Sequence, residues 1–178
     1  MQKSKHNITE RPIALIGFMG VGKTAVGTEL AKLTDRELVD LDSIIEDRSG
    51  TDIPSVFREH GEDYFRRLES SLMEDYLTSG RGVILSCGGG IVISERNRQL
   101  LAKHAEVVWL EQDIDVCLER VQSGSRPLLD REDSSDFARE LYEKRKPLYK
   151  QAADVVINRS DKDIETTARE IYDMLKNS

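Results

Sequence analysis

Residues 17–24 read Gly-Phe-Met-Gly-Val-Gly-Lys-Thr, the G-x-x-x-x-G-K-T form of a phosphate-binding loop. An apolar run at residues 13–16 precedes this phosphate loop and a helical pattern follows it, as the motif requires. Its glycines let the backbone curl so that successive N–H groups point at a phosphate chain, and the following helix adds its positive end. Lys23 is predicted to reach the β- and γ-phosphates, and the Thr24 hydroxyl to bind Mg²⁺. The chain is therefore expected to bind a nucleoside triphosphate.

The length of 178 residues favours a single domain, 1–178, and a net charge of −7 argues against a broad nucleic-acid or membrane surface. No apolar run reaches the roughly 18 residues of a membrane span. Residues 1–11 are polar and lack the apolar centre of a signal peptide, so a flexible lead-in is expected. Cys87 and Cys117 form no paired motif and suit a reducing cytoplasm. Nothing in the sequence demands an oligomer, so we expect a monomer.

Short apolar runs alternate with helical patterns along the chain. The strands are predicted at residues 13–17, 37–41, 82–86, 105–110 and 154–157. Helices are predicted to end near residues 33, 48, 60, 103, 121, 149 and 175, and a longer helix after Gly61 carries an apolar stripe at residues 65, 68, 72 and 76. Five apolar strands separated by helices indicate a parallel sheet that is covered on both faces. Ligands of such sheets bind beyond the carboxyl ends of the strands, so site residues are expected there.

Two carboxylates stand at the end of the second predicted strand. Because residues two apart on a strand point the same way, Asp40 and Asp42 are expected to face one site. Phosphoryl transfer needs a carboxylate near Mg²⁺ and another group that orients or deprotonates the attacking hydroxyl. Asp42 could instead cap the next helix. However, Ser43 and Glu46 have the spacing of a capping box, which would leave Asp42 available for chemistry.

The glycine triplet, residues 88–90, directly follows the third predicted strand. It could allow close approach and expose N–H donors, but a plain strand-to-helix turn would explain it equally well.

Two arginines and one segment have equally open interpretations. Arg66 is three residues before Glu69, within reach of an ion pair, and Arg145 lies in a helical pattern. Alone, both arginines would be interpreted as solvated. Residues 122–135 form a long polar segment, typical of a functional lid or of disorder. Arg126 within it could fold over the phosphates of a nucleotide.

Together these motifs resemble the shikimate kinase family, in order, from about residue 11 to residue 176. The matching segments are residues 17–24, Asp40-Leu41-Asp42, residues 61–66 with Glu69, residues 88–90, Arg126-Pro-Leu-Leu129 and Arg145-Lys-Pro-Leu-Tyr149. The resemblance implies an α/β P-loop NTPase fold of the nucleoside monophosphate kinase type. In this fold a five-stranded parallel sheet has the order 2-3-1-4-5, and residues 122–135 form a lid.

The resemblance also implies the reaction, which is ATP-dependent phosphorylation of the 3-hydroxyl of shikimate. The products are shikimate 3-phosphate and ADP, on the route to chorismate and the aromatic amino acids. The implied partners are ATP and shikimate, with Mg²⁺ as the cofactor and with neither nucleic acid nor membrane.

Site residues are carried over position by position. Those implied to bind ATP are Gly20, Val21, Gly22, Lys23, Thr24, Ala25, Arg120, Arg126 and Lys162. Those implied to bind shikimate are Asp42, Arg66, Gly88, Gly89, Gly90 and Arg145. The two arginines of that second set would clamp the substrate carboxylate, because arginine binds carboxylates bidentately. Those implied to be catalytic are Lys23, Asp42 and Arg126, with Asp42 as the base, and those implied to hold the metal are Thr24 and Asp40.

Two other functions share parts of this pattern. A gluconate or nucleoside monophosphate kinase has the same sheet and loop, but the Asp-x-Asp, Gly-Gly-Gly and Arg-Pro-Leu-Leu set argues against both. A GTP-binding switch is suggested by Asp47-Arg-Ser-Gly50 and by Asn158-Arg-Ser-Asp161. The first segment lies at a helix end rather than after a strand, and the second lacks the lysine of Asn-Lys-x-Asp.

Overall fold

The computed structural model describes residues 11–122 and 134–177. Within these ranges the strands are β1 (Ile13–Ile16), β2 (Leu38–Asp40), β3 (Ile84–Ser86), β4 (Glu106–Glu111) and β5 (Val155–Asn158). The helices are α1 (Lys23–Thr34), α2 (Leu41–Ser49), α3 (Ile53–His60), α4 (Glu62–Thr78), α5 (Glu95–His104), α6 (Ile114–Gln122), α7 (Ser134–Ala152) and α8 (Ile164–Lys176). A short 3₁₀ turn, Ile91–Ile93, follows the glycine triplet. None of the described helices is both long and apolar enough to cross a membrane.

The strands form one parallel sheet in the order β2-β3-β1-β4-β5. The predicted α/β fold and strand order are thus confirmed. The register pairs Ser86 at the end of β3 with Asp40 on β2 and with Leu15 on β1. The carboxyl ends of three neighbouring strands therefore meet where the phosphate loop leaves the central strand β1.

Alternate residues of β1 build the core on both faces of the sheet. Ala14 and Ile16 pack in a cluster with side chains of α2, α4 and α5, whereas Ile13 and Leu15 pack with side chains of α1 and α8. All four residues are completely buried. A strand buried on both faces needs apolar residues at every position, which is why this strand appears in the sequence as an unbroken apolar run.

The second strand ends earlier than predicted. β2 stops at Asp40, whose Oδ1 accepts a hydrogen bond of 3.1 Å from the backbone N–H of Ser43 and so caps α2. Asp42 lies in the first turn of that helix, and Glu46 accepts from the backbone N–H of Ile53 at 3.1 Å. The predictions of two carboxylates on one strand and of a Ser43–Glu46 capping box are therefore wrong. The physical reason is that Asp40 satisfies the exposed N–H groups of the helix first.

The predicted irregular segment at residues 122–135 begins and ends in helix, because α6 extends to Gln122 and α7 begins at Ser134. Residues 123–133, which include Arg126, lie outside the described residues, as do residues 1–10.

Candidate active site

The phosphate loop connects β1 to α1. Gly22, the residue before α1, has a φ of 90°, in the left-handed region that favours glycine. No side chain caps the helix that follows, so its first N–H groups lack intrahelical partners and suit an anion. The ammonium of Lys23 lies over the loop, donating to the carbonyls of Gly17 at 2.9 Å and Phe18 at 3.0 Å. A positive charge and the amino end of a helix thus converge on one spot.

A cleft of about 310 Å³, here called the phosphate cleft, opens on this loop. Its volume is within the usual range of ligand pockets, about 300–1,000 Å³. Of the predicted ATP-binding residues, those that line it are Gly20, Gly22, Lys23, Thr24, Ala25 and Arg120. Asp40 and Asp42 also line it, so two carboxylates share the cleft with two cations even though only one carboxylate is on a strand.

Three side-chain oxygens meet at the floor of the phosphate cleft. The Thr24 hydroxyl donates to Oδ2 of Asp40 and lies 3.1 Å from the hydroxyl of Ser86. Oxygen ligands of this kind suit a hard divalent cation. Across residues 11–122 and 134–177, no three His, Cys, Asp or Glu side chains cluster closely enough to hold a metal ion. These residues therefore fit a cation that shares its coordination with phosphates and water rather than one held by protein alone.

Charged side chains pack directly against the glycine triplet. A Cβ added to Gly88 would overlap Oε1 of Glu69 and would lie 3.1 Å from Oδ1 of Asp42. A Cβ on Gly90 would overlap the guanidinium of Arg66. Close approach, rather than a plain turn, therefore explains why these positions are glycine.

Two guanidinium groups reach this triplet from different helices. Nη1 of Arg66, on α4, donates to Oε2 of Glu69 at 2.8 Å, which confirms the predicted ion pair. Arg145, on α7, has an Nη1 atom 3.8 Å from where a Cβ of Gly89 would stand. Arg145 is only 8% exposed, and within the described chain its buried Nε has no hydrogen-bond partner. Interpreting Arg145 as a solvated surface residue is therefore wrong.

We call the pocket formed by Asp42, Arg66, the glycine triplet and Arg145 the acceptor pocket. Burial lowers the pKa of Arg145, and the nearby charge of Arg66 lowers it further. These two guanidinium groups make a site for a small anion, although Arg66 already pairs with Glu62 at 3.3 Å as well as with Glu69. Glu69, completely buried behind Arg66, balances one of them. Its burial raises the pKa of the Glu69 carboxyl, and Arg66 opposes that rise.

The family model for shikimate kinase matches residues 19–176. The chain belongs to the shikimate kinase family. A shikimate kinase of Vibrio parahaemolyticus is 39% identical over 168 residues, which cover 94% of this chain and 97% of the relative. That of Coxiella burnetii is 44% identical over 160 residues, 88% of each chain. A solved structure of the shikimate kinase from Acinetobacter baumannii in complex with shikimate is 34% identical, covers 98% of both chains and has a TM-score of 0.91.

As a shikimate kinase, the chain is an enzyme that phosphorylates shikimate with ATP. The family decides against the gluconate kinase, nucleoside monophosphate kinase and GTP-switch alternatives.

Two residues of the predicted ATP-binding set, Val21 and Lys162, do not line the phosphate cleft, and a third is not among the described residues. The side chain of Val21 is buried in the core, so only its backbone faces the loop. Lys162 forms an ion pair of 2.6 Å with Glu170 and lines a separate groove of about 720 Å³ along α8. Arg126 lies outside the described residues.

Sequence reasoning missed two residues of this shikimate kinase site. Ser86 stands at the end of β3, and its hydroxyl is within hydrogen-bond distance of the Thr24 hydroxyl. Its position just before Cys87 and the glycine triplet could have indicated that it belongs to the site. The buried hydroxyl of Tyr149 donates to the carbonyl of Gly89 at 2.6 Å. Tyr149 follows Arg145 by one helical turn, and that spacing places both on one helix face.

Proposed function

We propose that the phosphate cleft and the acceptor pocket together transfer the γ-phosphate of ATP to the 3-hydroxyl of shikimate. The observation that carries this proposal is the position of Asp42. Its carboxylate lines the phosphate cleft beside Lys23 and also adjoins Gly88 of the acceptor pocket. A hydroxyl bound at Asp42 would therefore lie between the two halves of the site, where it can meet the phosphate in line.

The acceptor carboxylate would bind to Arg66 and Arg145. Planar guanidinium groups pair with carboxylates through two parallel hydrogen bonds, and the buried Nε of Arg145 supplies a donor that no other described residue uses. Gly88, Gly89 and Gly90 let the ring approach the backbone closely, and their N–H groups add donors. This contact fixes the ring and so selects which hydroxyl faces Asp42.

Asp42 would accept the hydroxyl proton as the new O–P bond forms and the bond from the γ-phosphorus to the ADP oxygen breaks. Lys23 and the first N–H groups of α1 would stabilise the charge that spreads over the transferred group. Arg126 remains a predicted contributor to that stabilisation. Arg120, which lines the cleft, and Lys162 remain predicted to contact the nucleotide.

Thr24 and Asp40 would hold the cation, which we propose is Mg²⁺. When bound, Mg²⁺ would neutralise charge on the phosphates of ATP. The hydroxyl of Thr24, the carboxylate of Asp40 and the nearby Ser86 support this proposal, because Mg²⁺ prefers oxygen ligands.

We further infer a monomer that works in the cytoplasm. Cys87 and Cys117 are buried free thiols, as in a reducing compartment. Light scattering on the purified protein would test the monomer, and a dimer mass would contradict it.

A coupled ADP-release assay would test the reaction, with shikimate compared against gluconate, quinate and nucleoside monophosphates. Shikimate alone should drive rapid ADP release, and phosphorus NMR should find the new ester at the 3-position. ADP release driven by gluconate or a nucleotide but not by shikimate would contradict the proposal. An ester at another ring position would contradict the assignment of the hydroxyl.

A further inference from the structure

The segment Asn158-Arg-Ser-Asp161, which partly resembles a guanine-reading motif, has no part in the reaction described above. It follows β5, and its arginine, Arg159, is only 2% exposed. A buried arginine is costly unless its donors are used. Nη1 of Arg159 donates to the backbone carbonyl of Val21 in the phosphate loop, and Nε donates to the hydroxyl of Thr167 at 3.3 Å.

Among the described residues, Arg159 has no ion-pair partner. In residues 11–122 and 134–177 no carboxylate lies within 4.0 Å of its guanidinium, and both its hydrogen bonds end on neutral oxygens. Burial lowers its pKa, and Arg120 lowers it further. Asp163 opposes this lowering from a greater distance, so the direct hydrogen-bond partners of the guanidinium are neutral oxygens, one of them in the phosphate loop.

The guanidinium also presses on the next loop residue. A Cβ added to Gly22 would lie 2.6 Å from Nη1 of Arg159, so the side chain packs against the Val21–Gly22 peptide. A trans peptide is planar and its C=O and N–H point in opposite directions. Fixing the Val21 carbonyl toward Arg159 therefore turns the Gly22 N–H away from it. The N–H is thus on the side of the peptide opposite Arg159, and Gly22 itself lines the phosphate cleft.

The backbone of Arg159 is itself firmly held. Its N–H donates to the carbonyl of Glu111 at 2.8 Å, and its carbonyl accepts from Nε2 of Gln112 at 3.4 Å. Both partners belong to the end of β4, an inner strand of the parallel sheet, and to the residue after it. The arginine thus ties the phosphate loop to the rigid sheet.

We propose that Arg159 is a positioning residue for the donor nucleotide, which holds the Val21–Gly22 peptide of the phosphate loop with its N–H facing the phosphates. This inference rests on the proposed role of that loop in binding ATP. The contacts of Arg159 do not include Asp42, Arg66 or Arg145, so its removal should affect the donor half of the site alone.

Calorimetric titration of Arg159→Met, Arg159→Lys and the unsubstituted protein with ADP and, separately, with shikimate would test the proposal. Loss of a hydrogen bond from a charged donor corresponds to a weakening of about 10- to 100-fold. We expect Arg159→Met to weaken ADP binding by that factor and to leave shikimate binding unchanged. Arg159→Lys, which keeps a charged donor, should recover part of the loss.

Ile171→Val, a fully buried position on α8, is the matched control. It should lower the thermal midpoint without changing the ratio of ADP to shikimate affinity. An unchanged ADP affinity in Arg159→Met would overturn the proposal. It would also be overturned if Arg159→Met and the control each weakened the binding of ADP and of shikimate equally. If Arg159→Met does not fold, Arg159→Gln would replace it. An unchanged ADP affinity of Arg159→Gln would overturn the proposal, and a weakened ADP affinity with normal shikimate binding would support it. Absence of ADP binding by the unsubstituted protein would instead refute the proposed function.

Discussion

Substituting Gly90 by alanine is expected to disable the acceptor pocket through a single arginine. Gly90 has φ −97° and ψ 0°, a conformation that alanine adopts without strain. The new methyl group would lie 2.6 Å from Cζ and Nη2 of Arg66. Because a guanidinium is the far end of a flexible side chain, it can move aside and the chain should still fold. Loss of its bond to the buried carboxylate of Glu69 should nevertheless lower the thermal midpoint.

The size of the effect follows from how far Arg66 must move. Ordinary van der Waals contact begins at 3.4 Å, so Cζ and Nη2 must retreat from 2.6 Å by about 0.8 Å, and Nη1, which lies closer still, must retreat further. Its hydrogen bond to Glu69 is 2.8 Å long and would not survive such a shift in most directions. A displacement near 1 Å of a positioning group costs up to about 100-fold, and a lost charge-assisted hydrogen bond costs about 10- to 100-fold. We expect the KM for shikimate to rise by about 10- to 100-fold.

Steady-state kinetics with each substrate varied in turn would measure the effect. The KM for ATP should stay near that of the unsubstituted enzyme, because the phosphate loop is untouched. The same substitution made in an Arg66→Ala background should have little further effect, since contacting residues are not additive. An unchanged KM for shikimate in Gly90→Ala, or full additivity with Arg66→Ala, would refute the role assigned to this contact.

Other predictions concern the base, the triplet and the thiols. Asp42→Asn should lower kcat by about 10²–10⁴-fold and keep its ADP affinity in calorimetry. The control Asp47→Asn, exposed on the same helix, should have a kcat near that of the unsubstituted enzyme. Lost ADP binding in Asp42→Asn would contradict an acceptor-side role. Tyr149→Phe leaves a triplet carbonyl unpaired and should reduce the free energy of unfolding by about 1–3 kcal/mol in urea titrations; an unchanged midpoint would argue that this bond contributes nothing. Burial raises the pKa of Cys117 to about 11 and also raises that of Cys87, so neither thiol should react with Ellman's reagent at pH 8 until the protein is unfolded. Rapid reaction of the native protein would show that a thiol is accessible.

The strands and the phosphate loop could be predicted because their signals are local. Five apolar runs, each bounded by glycine or polar residues, indicated the parallel sheet, and the loop motif fixed which strand carries the nucleotide. The strand order came from the resemblance to a family rather than from periodicity, since the pattern of a buried strand is the same at any place in a sheet.

The predictions that failed depended on contacts between distant elements of the fold, or on which of two residues caps a helix. Asp40 and Ser43 could each begin a helix, and the sequence does not reveal which geometry is reached first. Arg145 resembles a surface residue in its own helix, and only the packing of α7 against the glycine triplet buries it. Arg159 acquires its contact with Val21 across 138 positions of the chain, a separation that no local pattern reports.

The stacking of Trp109 on Tyr149 has a practical consequence. The ring centroids are 5.9 Å apart with planes 24° from parallel, and Trp109 is the single tryptophan of the chain. Tyr149 in turn is bonded to Gly89, whose backbone forms the wall of the acceptor pocket. The tryptophan fluorescence of this enzyme therefore comes from one indole, two contacts away from the acceptor pocket. We therefore expect occupancy of that site to change the fluorescence of Trp109, without a label and without turnover.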